Sequence, residues 1–109
     1  MQKVLSGRVA RGVALLNSKV PDWRDSVNPD TLNLSNGFSC VLAQLFGSYE
    51  IGLKKLNLTA AQGRDHGFEV GSIHRLLPLI HGSGKMYEVL TAWWSRELIR
   101  FRPQVGMMA

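Results

Sequence analysis

Several groups of residues in this 109-residue chain are of the types that do chemistry, and their spacing decides what each can be. Gly82-Ser83-Gly84-Lys85 shares its ending with a phosphate-binding loop, in which glycines admit backbone amides to a phosphate and the lysine supplies charge. The first glycine of that motif falls on Leu79, and the hydroxyl that would hold magnesium falls on Met86. The segment therefore reads as a loop before a helix. His66, His74 and His81 lack the spacing that lets one helix offer two imidazoles to a metal, so no metal site and no cofactor are expected. Asp65, His66 and Glu69 form a possible acid–base set, but their glycine-rich setting reads as solvated loop polarity. Cys40 opens an apolar run and is expected to be buried and unreactive, although a histidine partner adjacent only in space would make it a nucleophile.

Two arginine pairs stand one helical turn apart, Arg8 with Arg11 and Arg96 with Arg100, a spacing that can grip successive phosphates. No helix-turn-helix phrase or zinc-finger pattern accompanies them. Arg8 and Arg11 remain the candidate nucleic-acid contacts. Trp93-Trp94 is the more informative pair, because adjacent residues on a helix diverge by about 100° and both indoles cannot enter one core. Trp94 falls in a stripe with Tyr87, Leu90, Leu98 and Phe101 and is expected in the core. Trp93 then gathers Met86, Val89, Arg96 and Arg100, a mixture that protein interfaces favour. These five are the candidate partner-binding residues. The competing expectation is that Trp93 widens the packed stripe or is covered by the chain's own arginines through cation–π contact.

The elements that must position these residues follow from periodicity and breakers. Leu5, Val9, Val13, Leu16 and Val20 recur at steps of three and four, which predicts a helix ended by Pro21. Asp22 is expected to cap a short turn through Trp23 and Val27, and Trp23 to anchor the core beneath it. Ser39 is the expected N-cap of a second helix carrying Leu42, Leu45, Phe46 and Tyr49. Ile51 to Leu58 favours helix over strand, with Gly52 as a point of interruption. Thr59-Ala60-Ala61-Gln62 predicts a capping box opening a brief helix. Ile73 to Ile80 is an apolar piece broken by Pro78, His81 to Gly84 a loop, and the last helix is expected from near Lys85 to Arg102. The prediction is an all-α single domain over 1–109, a compact bundle of four or five helices with room for one marginal hairpin from Phe68 to Ile73.

Composition agrees with that class. Hydrophobic residues are 45% and charged residues 19%, the balance of a folded soluble domain rather than a disordered tail. A lone cysteine forms no internal disulfide, and no apolar run approaches the roughly 20 residues of a membrane span, so a cytoplasmic protein without membrane contact is expected. The net charge of +5 is uneven: residues 1–20 carry four basic groups and no acid, whereas 21–53 set Arg24 against four acids. An N-terminal segment of that kind matches a transit peptide in composition. Its apolar stripe needs a core to cover it, and an integral helix is the expectation.

Two phrases in fixed order add a resemblance. Arg11-Gly12-Val13-Ala14-Leu15-Leu16-Asn17 with Pro21 and Trp23, then Leu32-Asn33-Leu34-Ser35 with Cys40 to Tyr49, resemble a group of small uncharacterised proteins of actinobacteria and their phages. Similar Pro-x-Trp and Val-Leu-x-Gln-Leu-Phe/Tyr-Gly-x-Tyr phrases recur there. The resemblance implies no activity. It implies a small, phage-type accessory protein, non-enzymatic, acting by binding a host or phage partner protein. A basic nucleic-acid-binding module and a small enzyme with an unrecognised site are the alternatives.

Overall fold

The computed structural model describes residues 2–70 and 83–100. These residues form six helices, and no strand occurs among them, as the apolar periodicity requires. The first helix, α1 (Gln2–Lys19), buries Leu5, Val9 and Leu16 and packs the half-buried Val13 against the same core. Val20 still donates its amide to the Leu16 carbonyl at 2.7 Å, and the helix stops at Pro21. The one-turn α2 (Trp23–Ser26) follows with Asp22 at its N-cap position, but the Asp22 side chain makes no capping bond. What holds α2 is Trp23, fully buried, with its indole Nε1 donating to Asn17 Oδ1 at 2.9 Å.

A long turn-rich connection then runs from Val27 to Cys40, fastened by Asn28, Asn33 and Asn36, whose side-chain oxygens accept from amides two residues on. Leu32 and Leu34 are its buried anchors. Gln44 reaches back to it, accepting from the Asn28 amide at 2.6 Å and donating to the Ser39 carbonyl at 3.1 Å.

Two sequence expectations change at this point. Cys40, not Ser39, occupies the N-cap of α3 (Val41–Phe46), in an extended conformation and without a side-chain capping bond. The single helix expected through Tyr49 is also broken, because Gly47 takes φ +102° and Ser48 caps a new helix, α4 (Tyr49–Lys55), by accepting from the Ile51 amide at 3.1 Å. The helix continues through Gly52, and α3 and α4 form a packed corner. Thr59 and Gln62 make the expected capping box at the start of α5 (Ala60–Asp65). Residues 68–70 form no strand, while the rest of the expected hairpin and the apolar piece from Ile73 to Ile80 lie outside the described residues. The final helix, α6 (Ser83–Arg100), begins two residues before the expected start, so Ser83 and Gly84 belong to it rather than to a loop. No helix among the described residues is long and apolar enough to cross a membrane.

The core closes where α1 and α6 pack together. Trp94 is fully buried, stacks on Phe68 with ring centroids 5.4 Å apart and meets Trp23 edge-on at 5.7 Å. Its indole Nε1 donates to the Gly67 carbonyl at 2.7 Å, which satisfies the polar atom that so deep a burial would otherwise strand. The approach is possible because α1 carries Gly12 at the crossing. A Cβ there would run into the His66 carbonyl oxygen and stand 2.9 Å from the Trp94 ring. Gly7, on the same helix, meets only the tip of Arg11 at 3.8 Å. Gly12→Ala should therefore cost about 1–3 kcal/mol, as overpacking does, whereas Gly7→Ala should raise stability by about 0.5–1 kcal/mol through helix propensity. Denaturant unfolding of the two variants checks the opposite signs.

Candidate functional site

Two regions combine reactive or recognition-competent side chains with open space. The first is the outer face of α6, which carries most of the sequence-predicted partner residues. Trp93 is half-buried, resting on the core by one side, and the Arg96 guanidinium carbon lies 5.3 Å from its ring centroid. Val89, Ala92, Trp93 and Arg96 line a shallow depression of about 210 Å³, and Ala92, Ser95, Arg96 and Ile99 line a second beside it. Ile99 is 61% exposed. Trp93 thus packs against the core and has an arginine of the chain over its ring, as the competing expectation has it, and it also borders open surface.

Met86 does not belong to that face. It is 4% exposed: it falls one turn before the buried Leu90, and the packed face of α6 is wide enough there to take it in. The side chain of Arg100 lies outside the described residues. Of the candidate nucleic-acid contacts, Arg8 is half-buried and Arg11 exposed. Arg11 Nε donates to the Asp65 carbonyl at 2.9 Å. Arg8 Nη1 is buried, with no hydrogen-bond partner among the described residues.

The second region was not foreseen as a unit. Where the Leu34 connection meets α6 and the end of the Gly67–Val70 segment, a chamber of about 140 Å³ is lined by the Cys40 thiol, Tyr49, Tyr87 and Glu69. Leu34, Phe68, Ser35 and Gly37 complete its described wall. Ser35 and Tyr87 also border a wider groove of about 500 Å³ with Leu32, Asn33, Glu88 and Thr91. The Thr91 hydroxyl accepts from the Leu34 amide at 3.0 Å and fixes the connection against α6.

The electrostatics of the chamber are set by burial and by one carboxylate. Burial pushes the Cys40 thiol up, with the nearby amides of Ala43 and Leu42 offsetting part of the effect. Burial also pushes the Tyr49 phenol well above its usual range, and the neighbouring Glu69 carboxylate adds to this. The Tyr49 hydroxyl is buried and makes no hydrogen bond of ordinary length among the described residues, and the Glu69 carboxylate stands near enough to accept from it at longer range. Tyr87 is raised by burial too, opposed by a backbone bond at Val70 and assisted by Glu69. Glu69 itself pairs with Arg64, Nη1 to Oε1 at 3.3 Å, with both side chains partly exposed. No group of three or more His, Cys, Asp or Glu that could hold a metal occurs among the described residues. A thiol held protonated beside protonated phenols is a poor nucleophile, so the arrangement suits binding better than covalent chemistry.

Set against protein-family models, curated proteins and solved structures, the chain matches none.

Cys40, buried, and Tyr49 and Tyr87, half-buried, are all held in their neutral forms by folding. A group whose pKa is raised in the folded state contributes stability that is intact below its unfolded pKa and is lost as pH rises above it. The chain should therefore lose stability above about pH 9, where the unfolded thiol and then the phenols ionise. Tyr49→Phe should flatten that loss in denaturant melts taken from pH 7 to 11. At neutral pH, Cys40, 2% exposed, should label slowly with a thiol reagent and rapidly in denaturant.

Proposed function

We propose that the chain is a small non-enzymatic accessory protein of phage type that binds a partner protein through the outer face of α6. The observation that carries this reading is the pairing of Trp93 with Arg96 beside Val89, Ala92 and the exposed Ile99. An aromatic anchor flanked by an arginine and aliphatic groups is the composition that concentrates binding energy in interfaces. The charge on this face indicates the partner. Lys85 and Arg96 are both exposed on it, while Glu88 and Glu97 fall on its two flanks at 100° per residue, and the chain carries +5 overall. An acidic, amphipathic surface on the partner complements it, and a second copy of the same face would oppose like charges. The resemblance to small proteins of actinobacteria and their phages fits the setting. No observation at Arg8 or Arg11 adds support to the nucleic-acid alternative.

Trp93→Ala should cost under about 1 kcal/mol of stability, whereas Trp94→Ala, a full core deletion, should cost about 3–5 kcal/mol. A protein captured from actinobacterial lysate by the wild-type chain should, once purified, be acidic. It should bind Trp93→Ala and Arg96→Glu at least about tenfold more weakly, and Ile51→Ser as tightly as wild type. Equal binding by Trp93→Ala and Arg96→Glu would sink the proposal. So would capture of nucleic acid alone, weakened by salt and by Arg8→Ala or Arg11→Ala.

A further inference from the structure

We infer that the chain associates head to tail with a second copy of itself, the Phe38 ring of one copy seating against the Trp93–Arg96 face of α6 on the next. The inference rests on that face being a recognition surface, as proposed above, and gives it a second occupant.

The knob comes from the turn-rich connection. Phe38 is 81% exposed, more than any other large apolar side chain among the described residues. The backbone that carries it is nevertheless held on both sides. Its own amide donates to Asn36 Oδ1 at 2.8 Å, and the Ser39 and Cys40 amides both donate to the Asn36 carbonyl at 3.0 Å. The Gly37 carbonyl accepts from the Tyr49 amide at 3.3 Å. The ring is thus presented from a fixed loop, which reduces the ordering that docking would otherwise cost.

The setting of the knob is acidic. From Asp25 to Leu53 the chain carries Asp25, Asp30 and Glu50 and neither lysine nor arginine. Asp30 and Glu50 are both exposed and both tied to the Phe38 loop. Gln44 Nε2 donates to the Asn28 and Ser39 carbonyls at 3.3 and 3.1 Å, which draws the Asn28–Asp30 turn alongside, and Glu50 follows the Tyr49 whose amide holds Gly37.

The outer face of α6 is the counterpart in both shape and sign. Its depression of about 210 Å³ has room for a phenyl ring, since a dry cavity of about 150 Å³ already accepts benzene. Val89, Ala92 and Trp93 give the ring apolar contact, while Arg96 and the exposed Lys85 bring positive charge to Asp30 and Glu50. Phe38 loop against Phe38 loop, or α6 against α6, would oppose like charges; only the unlike pairing attracts. A membrane surface would repel the acidic loop for the same reason. Joining unlike faces leaves one of each free, so the contact repeats into chains or rings.

The test is sedimentation velocity of the full chain from about 10 µM to about 1 mM at low salt. The mean mass should rise with concentration, with a Kd on the order of 0.1 mM for so small a contact, and fall again as added salt screens the exposed charges. Phe38→Ser and Trp93→Ala, each folded by circular dichroism, should stay monomeric, whereas Val4→Ser, altered at an exposed position of α1, should associate as wild type does. An equimolar mixture of Phe38→Ser and Trp93→Ala should form dimers that do not extend, because the first variant keeps its α6 face and the second keeps its knob. Arg96→Glu replaces Trp93→Ala should that variant not fold. Three results overturn the inference: a wild-type chain still monomeric at about 1 mM, association unchanged by Phe38→Ser, or a mixture that stays monomeric. An acidic protein captured through Trp93 by a chain that stays monomeric refutes the self-association and leaves the partner reading standing; self-association with no such protein does the reverse.

Discussion

The contact on which this molecule depends is the seating of one indole. Trp94 can be buried only if its N–H finds an acceptor, and the acceptor it finds is the Gly67 carbonyl. That requirement fixes the turn after α5 against α6. Gly67 itself adopts φ +75°, and a Cβ there would stand 2.8 Å from the Val9 amide nitrogen, so the same turn is also pressed against α1. Gly12 completes the arrangement by leaving room for the indole and for the His66 carbonyl of the same turn. Three segments distant in sequence thus meet through two glycines and one side chain, with Trp23 and Phe68 closing the remaining ring surfaces. A well-packed interior tolerates little change of volume at such a point, and position 12 lies in it while position 7 does not.

What was legible in the sequence was whatever one helix face or one turn decides by itself. The Leu5–Val9–Leu16 stripe, the stop at Pro21, the Thr59–Gln62 box and the division of Trp94 from Trp93 are all set within a few residues of chain. The break at Gly47 was missed because Leu42, Leu45, Phe46 and Tyr49 keep a helical spacing across it, and only the positive φ of the glycine reveals the corner. Met86 was misassigned for a related reason. At about 100° per residue it lies about 20° from Trp93 and about 40° from Leu90, so helical geometry alone sets it beside Trp93, and only the packing of α6 shows that it is buried. The chamber left no local pattern at all. Ser35, Cys40, Tyr49, Glu69 and Tyr87 come from five separate places in the chain, and they meet only because α6 docks on the Leu34 connection. Cys40 and Glu69 each drew notice in the sequence, but nothing in their spacing joined them.

α6 is accordingly a helix with three different tasks around its circumference. Met86, Leu90, Trp94 and Leu98 hold it to the core; Tyr87 and Thr91 face the Leu34 connection; Val89, Trp93, Arg96 and Ile99 turn outward. The order follows from 3.6 residues per turn. Adjacent residues such as Trp93 and Trp94, or Met86 and Tyr87, are forced into different environments, and their chemistry differs to match: aliphatic and fully satisfied groups inside, phenol and hydroxyl at the connection, arginine over indole outside.

That division bears on how the molecule would respond to a ligand or a partner. Anything that binds the folded chain and not the unfolded one stabilises it by mass action, and does so most where its contacts exist only in the docked arrangement. Anything seated in the chamber would touch Tyr87 on α6, Leu34 on the connection and Phe68 beside Trp94, so its binding energy would add directly to the docking of α6. A protein on the outer face touches α6 alone, and through Trp93 it presses on the core only from one side. The two would therefore act differently on stability even at equal affinity. Occupancy of the chamber ties α6 to the rest of the fold, whereas occupancy of the outer face leaves that attachment to Trp94, Gly12 and Gly67.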